Sequence, residues 1–297
     1  MQRLNYAFRF IKACFPLAVK HSRLLKPWVN LWMGGISLLI LWLIPLGAVI
    51  TLLGLTPLGM VLIGLISILL LYSLLMWGEV TALETSRAFD AITKGDFIQA
   101  ESTGGTSEFA HWKDIALWTL MLPGMELIRF FNQFFQPRQA DKHDWLSGSY
   151  VMLPVIALED LSLAEAEERI KQLERDRLLG FHPELIGISP VVGVLQWSLV
   201  LVGGIIGFWI GLIMADPMTA GVLSRLLAIA IGILLAGNLA LLGISISSFT
   251  RACYYTTLYQ WALNVIVARG SGDTSRGLAP ALLSQVMRKT KPSKKEP

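Results

Sequence analysis

One feature restricts the fold of this chain more than any other: the stretch from Pro27 to Gly78 contains no charged side chain. A helix that crosses a bilayer needs about 20 apolar residues, so this stretch is long enough for two crossings. Gly54 and Pro57 mark the break between them, because Gly relaxes the backbone and Pro suits the first turn of a new helix. The stretch therefore predicts a tight transmembrane hairpin within residues 28–80.

Two further uncharged stretches lie in the C-terminal half, from Leu185 to Ala215 and from Leu226 to Thr250. Each is long enough for one crossing. The short segment between them contains Asp216 and Arg225, which predicts a turn outside the bilayer. The sequence thus predicts a second transmembrane hairpin within residues 185–268, with a last part that extends beyond the membrane surface.

The overall composition agrees with a membrane protein. Hydrophobic residues make up 54% of the chain and charged residues 15%, whereas an ordinary soluble domain has about 25% charged residues. The predicted fold class is all-α. We expect a polytopic membrane protein with two transmembrane helical hairpins, four spans in all, and amphipathic or re-entrant helices on the cytosolic side.

The positions of lysine and arginine predict the orientation of the chain. All of them except Arg225, which lies beside the turn of the second hairpin, occur in residues 1–27, in the central region 81–184, or after the last uncharged stretch, where 269–297 form a linker and a basic tail. Cytosolic segments near spans are rich in these residues, so both termini and the central region are predicted to be cytosolic. This placement accounts for the net charge of +4 without nucleic acid as a partner.

Residues 1–27 have the pattern of a basic amphipathic helix. Apolar residues recur at helical spacing at Leu4, Phe8, Ile11 and Phe15. Basic residues surround the other side, at Arg3, Arg9, Lys12 and Lys20. Because a helix of this kind lies in the plane of the lipid headgroups, we expect these four bases to contact membrane lipids.

Two apolar segments of the central region, 109–135 and 145–158, are too short or too interrupted to cross a bilayer. We expect them to be interfacial helices or re-entrant elements that dip into the cytosolic side. Backbone at such depth is tolerated only where protein covers it or where it lines a wet cavity. Pro123, Gly124 and Pro154 interrupt these segments and are therefore candidates for lining a path.

Residues 160–180 have the pattern of a water-exposed helix. Ser162 and Glu165 have the spacing of a capping box, and Gly180 is placed as a C-terminal stop. Ion pairs at i,i+4 spacing are predicted for Glu165 with Arg169 and for Glu167 with Lys171. A narrow apolar stripe, which either packs on this protein or docks a partner helix, consists of Leu163, Ala166, Ile170 and Leu173.

Small and amide residues in the spans indicate helix contacts. Gly203, Gly207 and Gly211 recur every four residues, and such spacing lets another helix approach closely in lipid. Asn238 lies near the middle of the last span and needs a hydrogen-bond partner there. We expect all four residues to contact another helix, either of this chain or of a partner.

Motifs for chemistry are missing from the sequence. The cores of the spans hold no ionisable side chain, which disfavours a coupled ion pathway, and Gly104–Ser107 lacks the Lys of a nucleotide loop. Cys14 and Cys253 are the only cysteines, and they imply neither a disulfide framework nor a metal site. We therefore expect no enzyme activity, no cofactor and no metal.

A short motif within residues 145–180 resembles a known family. Here the run from Leu153 to Asp160, Leu-Pro-Val-Ile-Ala-Leu-Glu-Asp, precedes the charged helix. It is similar to an uncharacterised bacterial family of multi-pass membrane proteins, a domain of unknown function, although this chain is unusually acidic from Glu165 to Glu168. The resemblance implies a multi-pass topology in the bacterial inner membrane and no catalytic residue.

Three functions fit these patterns. The first is a non-enzymatic membrane scaffold or accessory subunit, which packs against another integral membrane protein or a second copy through the glycine face of the third span and a cytosolic platform. The second is a small permease or channel component with re-entrant elements along a path. The third is lipid handling on the cytosolic leaflet.

Overall fold

The structure is a computed structural model that describes residues 2–54, 56–94, 112–121, 151–175, 188–214 and 222–271. Its helices are α1 (Gln2–Lys20), α2 (Ser22–Leu53), α3 (Pro57–Lys94), α4 (112–121), α5 (Met152–Glu159), α6 (Leu163–Arg175), α7 (Ile188–Met214) and α8 (Val222–Ser271). No strand occurs in these ranges, which confirms the predicted all-α fold class.

Four segments are long and apolar enough to cross a membrane: α2, α3, Val192–Ile210 of α7 and Ile229–Ser271 of α8. They coincide with the four predicted spans, as expected of a multi-pass membrane protein. The two longest of these helices, α3 and α8, far exceed the roughly 20 residues that a bilayer needs. Helix α3 continues to Lys94 and α8 to Ser271, so both helices carry residues beyond the uncharged stretches.

The turn between α2 and α3 forms where the sequence predicts it. Gly54 has a left-handed φ of 59°, which glycine adopts at little cost, and its N–H donates to the carbonyl of Ile50 at 3.1 Å. The hydroxyl of Thr56 accepts the N–H of Gly59 at 3.2 Å, as an N-cap residue does. Pro57 then begins α3, where its missing N–H has no helical acceptor to lose.

The chain divides into two compact units. One, the span unit, comprises Lys26–Thr81 and Gly193–Ser248 and takes in most of the four apolar helices. The other, the polar unit, comprises Met1–Leu25, Ala82–Val192 and Phe249–Pro297. Among the described residues of the polar unit are α1, α4, α5, α6 and the C-terminal parts of α3 and α8.

Within the span unit, α8 packs against the first hairpin. A Cβ added to Gly237 would lie 2.5 Å from Cδ1 of Leu39 in α2, so the two helices approach closely at this point. The hydroxyl of Ser248 donates to the carbonyl of Gly78 in α3 at 3.4 Å. Helix α8 therefore contacts both helices of the first hairpin.

The glycine face of α7 also packs against α8. A Cβ on Gly203 would lie 2.9 Å from the carbonyl oxygen of Ala236, and one on Gly207 would overlap the carbonyl oxygen of Gly232. These two glycines therefore allow close approach between two helices of the same chain, so the partner-protein alternative does not apply to them. Gly211 lies in α7, but its surroundings are outside the described residues.

Within the polar unit, α1 packs on the C-terminal part of α8. Phe10 meets Tyr254 edge to face, with ring centroids 4.9 Å apart, and Phe15 lies near Phe249, at 6.2 Å. Among the side chains of α1 that the structure describes, Phe10, Cys14 and Ala18 are buried. Of the predicted apolar stripe, Phe15 takes part in this contact and Ile11 is half-buried, whereas the side chains of Leu4 and Phe8 are outside the described residues.

The two short central helices also bury apolar side chains. In α5, the buried residues include Val155 and Ile156. In α6, three of the four residues of the predicted stripe, Ala166, Ile170 and Leu173, are buried. The stripe therefore packs on this protein and is not left free for a partner helix.

We predict that Gly207→Val weakens the α7–α8 contact, because the added branch overlaps backbone that cannot move without displacing α8. Overpacking of this kind costs about 1–3 kcal/mol, and thermal unfolding of the full chain in mild detergent measures it. The matched control is Gly204→Val, since a Cβ on Gly204 meets nothing within 4 Å. Equal melting temperatures for the two variants would contradict the contact.

Candidate functional site

The polar unit contains a group of three side chains, the Glu159 cluster, that joins α5, α6 and α8. The hydroxyl of Tyr259 donates to Oε1 of Glu159 in a short hydrogen bond. Nε of Arg169 donates to Oε2 of the same carboxylate at 3.1 Å, and Nη2 donates to Oε1 at 3.3 Å. Both carboxylate oxygens are thus occupied by groups from two other helices.

The local sequence explains how Glu159 reaches this position. It is the last residue of α5, and the next residue, Asp160, adopts a left-handed φ of 53°, which Asp tolerates better than most residues. This turn redirects the chain into α6. The N–H of Ser162 then donates to Oε2 of Glu165 at 2.9 Å, as the predicted capping box requires of its acidic member.

Arg87 of α3 stabilises the end of α5 from outside. Its Nε donates to the carbonyl of Ala157 at 3.2 Å, one of the C-terminal carbonyls that no helical N–H reaches. Its Nη2 lies 3.4 Å from Oδ1 of Asp160. A cation at a helix C-terminus is favourable, so Arg87 fixes both the end of α5 and the turn that follows.

A second polar contact joins α8 to α3. Nε2 of Gln260 donates to Oδ1 of Asp90 at 2.7 Å and contacts Oγ1 of Thr93 at 2.8 Å. The other oxygen of Asp90 pairs with Lys94 at 2.8 Å. Gln260 directly follows Tyr259, so one turn of α8 binds both α5 and α3.

Electrostatics keep the Glu159 cluster together. Partial burial lowers the pKa of the Arg169 guanidinium, but its hydrogen bonds to Tyr259 and Glu159 outweigh burial, so the net shift of the pKa is upward. Arg169 therefore stays a cation. A carboxylate that acts as an acid or base must reach its substrate, and the oxygens of Glu159 are engaged by Arg169 and Tyr259. This geometry suits a structural role, in which Glu159 holds α5 against α6 and α8.

The structure gives Asn238 a partner within the chain. Its Oδ1 accepts a hydrogen bond of 2.9 Å from the indole N–H of Trp32 in α2. Bonds of this kind between membrane helices contribute on the order of 0.6–2 kcal/mol. Asn238 thus links α8 to α2, and Trp32 has a packing role in addition to any role at the membrane boundary.

The predicted headgroup bases are only partly described. Lys12 and Lys20 are exposed on α1, whereas Arg9 is half-buried. Arg3 lies in α1, but its side chain is outside the described residues. Two exposed bases therefore lie away from the buried face of this helix.

Of the three residues predicted to line a path, only Pro154 lies in the part of the chain that the structure describes. Pro154 lies in the first turn of α5 and is buried; a proline is tolerated there because it has no helical acceptor to lose. Pro123, Gly124 and Gly180 lie outside the described residues, as do the tail 272–297 and most of segment 109–135. Pro154 therefore packs within the polar unit.

Sequence reasoning missed Tyr259 and Gln260 and assigned Arg169 to the wrong partner. Spacing offered Glu165 as the partner of Arg169, but the guanidinium binds Glu159 from another helix. Tyr259 and Gln260 gave one usable signal: they are polar residues in a helical stretch that continues past the last uncharged run. A continued helix with polar groups on it indicates contacts with neighbouring helices, although not which ones.

Comparison with known proteins adds no relative: no protein-family model, no curated protein and no solved structure matches the chain. The resemblance of residues 145–180 to a bacterial family therefore stays a prediction.

We predict that Arg169→Met destabilises the polar unit, because it leaves the partly buried Glu159 without its cation. Loss of hydrogen bonds to a charged group costs about 1.5–3 kcal/mol, measurable by thermal unfolding or by the rate of proteolysis within α6. The control Lys171→Met, on the same helix, removes only an exposed pair with Glu167, worth about 0.5 kcal/mol. Equal losses of stability in the two variants would show that Arg169 does not hold α5 and α6 together.

Proposed function

We propose that this chain is a non-enzymatic integral membrane scaffold or accessory subunit of a membrane protein complex. The observation that carries the proposal is that polar side chains bind each other across different helices. Trp32 binds Asn238, Arg169 and Tyr259 bind Glu159, and each contact joins different helices. A protein that positions a partner needs helices held rigidly together, and these contacts supply that rigidity.

The outer face of α6 is the partner surface that the contacts favour, since the glycine face of α7 is occupied by α8. Helix α6 is held on one side by its buried stripe and by Arg169. On its other side Glu165, Glu167 and Glu168 are exposed together with Lys171 and Arg175, and Lys171 pairs with Glu167. This side, the acidic face, keeps a net negative charge and suits a partner membrane protein with basic residues in its cytosolic loops, because complementary charges set specificity and encounter rate.

The proposal places the chain in the bacterial inner membrane with both termini in the cytosol. Support comes from the distribution of Lys and Arg and from the exposed bases of α1. Lys12 and Lys20 lie on the side of this helix that faces away from α8, together with Val19, which is 77% exposed. Such a face suits anionic lipid headgroups, with the apolar residue at the acyl boundary.

We predict that Glu168→Lys releases the partner, because it reverses a charge at the centre of the acidic face. The measurement is the amount of a second integral membrane protein that co-purifies at fixed stoichiometry with the full chain in mild detergent. Lys113→Glu is the control, since it reverses an exposed charge on α4. A wild-type chain that purifies alone and as a monomer would rule out the scaffold.

We predict that the double variant Lys12→Gln and Lys20→Gln retains less anionic phospholipid. Each base near the surface contributes about 1 kcal/mol to headgroup attraction. Phosphatidylglycerol bound per protein after gel filtration measures the effect. Lys171→Gln, an exposed base on α6, serves as control, and unchanged lipid content in the double variant would remove the headgroup role of α1.

A further inference from the structure

Helix α4 exposes more large apolar side chains than any other described helix of the polar unit. Among the residues that the structure describes in this unit, six large hydrophobic side chains are exposed. Two of them are Val19 on α1 and Val267 on α8. The other four lie within residues 112–121 of α4: Trp112 at 49% exposure, Leu117 at 45%, Leu120 at 66% and Met121 at 48%.

The spacing of these residues defines an outer face of α4. Leu117, Leu120 and Met121 are three and four residues apart, so they lie on one side of the helix. Ile115 and Trp118 lie on the opposite side and are buried, with 2% and 5% exposure. Helix α4 is therefore apolar on both sides. A helix that is apolar all round is normally covered all round, but here the protein covers the inner side alone.

The bilayer is the surface at hand to cover the outer face. Helices α3 and α8 run without a break from the span unit into the polar unit, so two continuous helices tether the polar unit to the membrane. The ten residues of α4 measure about 15 Å at 1.5 Å per residue. The hydrocarbon core is about 30 Å thick, so α4 is too short to cross it and fits the membrane surface.

The charged residues of α4 match the headgroup region. Lys113 is exposed, and its Nζ lies 6.0 Å from the centroid of the Trp112 ring. Tryptophan is enriched where a bilayer meets water, and a lysine stem can lie along apolar surface while its ammonium group reaches water or phosphate. Asp114, the one acidic residue of α4, is half-buried. A basic residue beside an apolar face is complementary to anionic phospholipid.

We propose that α4 is an interfacial helix that inserts its outer face into the adjoining leaflet of the membrane, with anionic phospholipid as its partner. Leu117, Leu120 and Met121 enter the boundary between headgroups and acyl chains, and Lys113 contacts a phosphate group. The polar unit thereby gains a membrane contact on α4 that is separate from the bases of α1. The inference needs only the exposed face of α4 and stands apart from the proposed scaffold function.

The test uses the full chain with Cys14→Ser and Cys253→Ser, reconstituted in vesicles of phosphatidylethanolamine and phosphatidylglycerol. A nitroxide label is attached at Leu120→Cys or, in a second variant, at Leu117→Cys. Electron paramagnetic resonance measures its collisions with oxygen, which concentrates in lipid, and with a water-soluble nickel chelate. We expect oxygen to relax the label more strongly than the chelate at both positions. At the control Glu168→Cys, exposed on α6, the chelate should dominate.

Leu69→Cys provides a reference for depth, because Leu69 lies within the uncharged part of α3 and is 52% exposed. The labels on α4 should lie nearer the membrane surface than this one, since an interfacial helix reaches only the acyl boundary. Each variant is used once its thermal unfolding matches that of the parent chain, and two positions on α4 keep the test valid if one variant misfolds.

Three results would overturn the proposal. Stronger relaxation by the nickel chelate at both α4 positions would place the outer face in water. Weak relaxation by both reagents would mean that protein, either a second copy or this chain, covers the face. A depth equal to that of Leu69→Cys would place α4 in the hydrocarbon core as a re-entrant element.

Discussion

Hydrocarbon offers no hydrogen-bond partner, so a polar group that enters a bilayer is costly unless it finds one within the protein. This constraint explains the distribution of polar residues in the chain. The span unit keeps few of them, and its central amide, Asn238, is bound by Trp32. Close helix contact supplies the rest of the cohesion, because Gly203 and Gly207 let α7 approach the backbone of α8. The polar and small residues of the span unit thus serve contacts between its own helices.

The polar unit is stabilised in a different way, by hydrogen bonds and ion pairs between short helices and the C-terminal parts of α3 and α8. Its elements are short, and α5 has only eight residues, too few to be stable without tertiary contacts. Glu159 and Arg169 tie α5 to α6, and Arg87 caps the end of α5. Tyr259 and Gln260 bind this assembly to α8 and α3. The C-terminal part of α8 therefore contacts α5 and α3 and holds the short helices in place.

Local signals made part of this structure predictable. The first hairpin follows from Gly54, Thr56 and Pro57, because the left-handed turn, the N-cap and the helix start all depend on residues adjacent in sequence. The stripe of α6 was predictable for the same reason. The Glu159 cluster was not, since it depends on a turn at Asp160 and on Tyr259, a hundred residues away. Spacing along one helix cannot identify a partner on another.

The proposed topology, in which two hairpins cross the membrane and the charged regions lie on its cytosolic side, is tested most directly by labelling from outside the cell. Single cysteines are introduced at Thr56→Cys and Glu168→Cys in a chain that carries Cys14→Ser and Cys253→Ser. We predict that a membrane-impermeant maleimide added to intact spheroplasts labels the first position only, and labels both after lysis. Labelling of both positions, or of Glu168→Cys alone, in intact spheroplasts would contradict this topology.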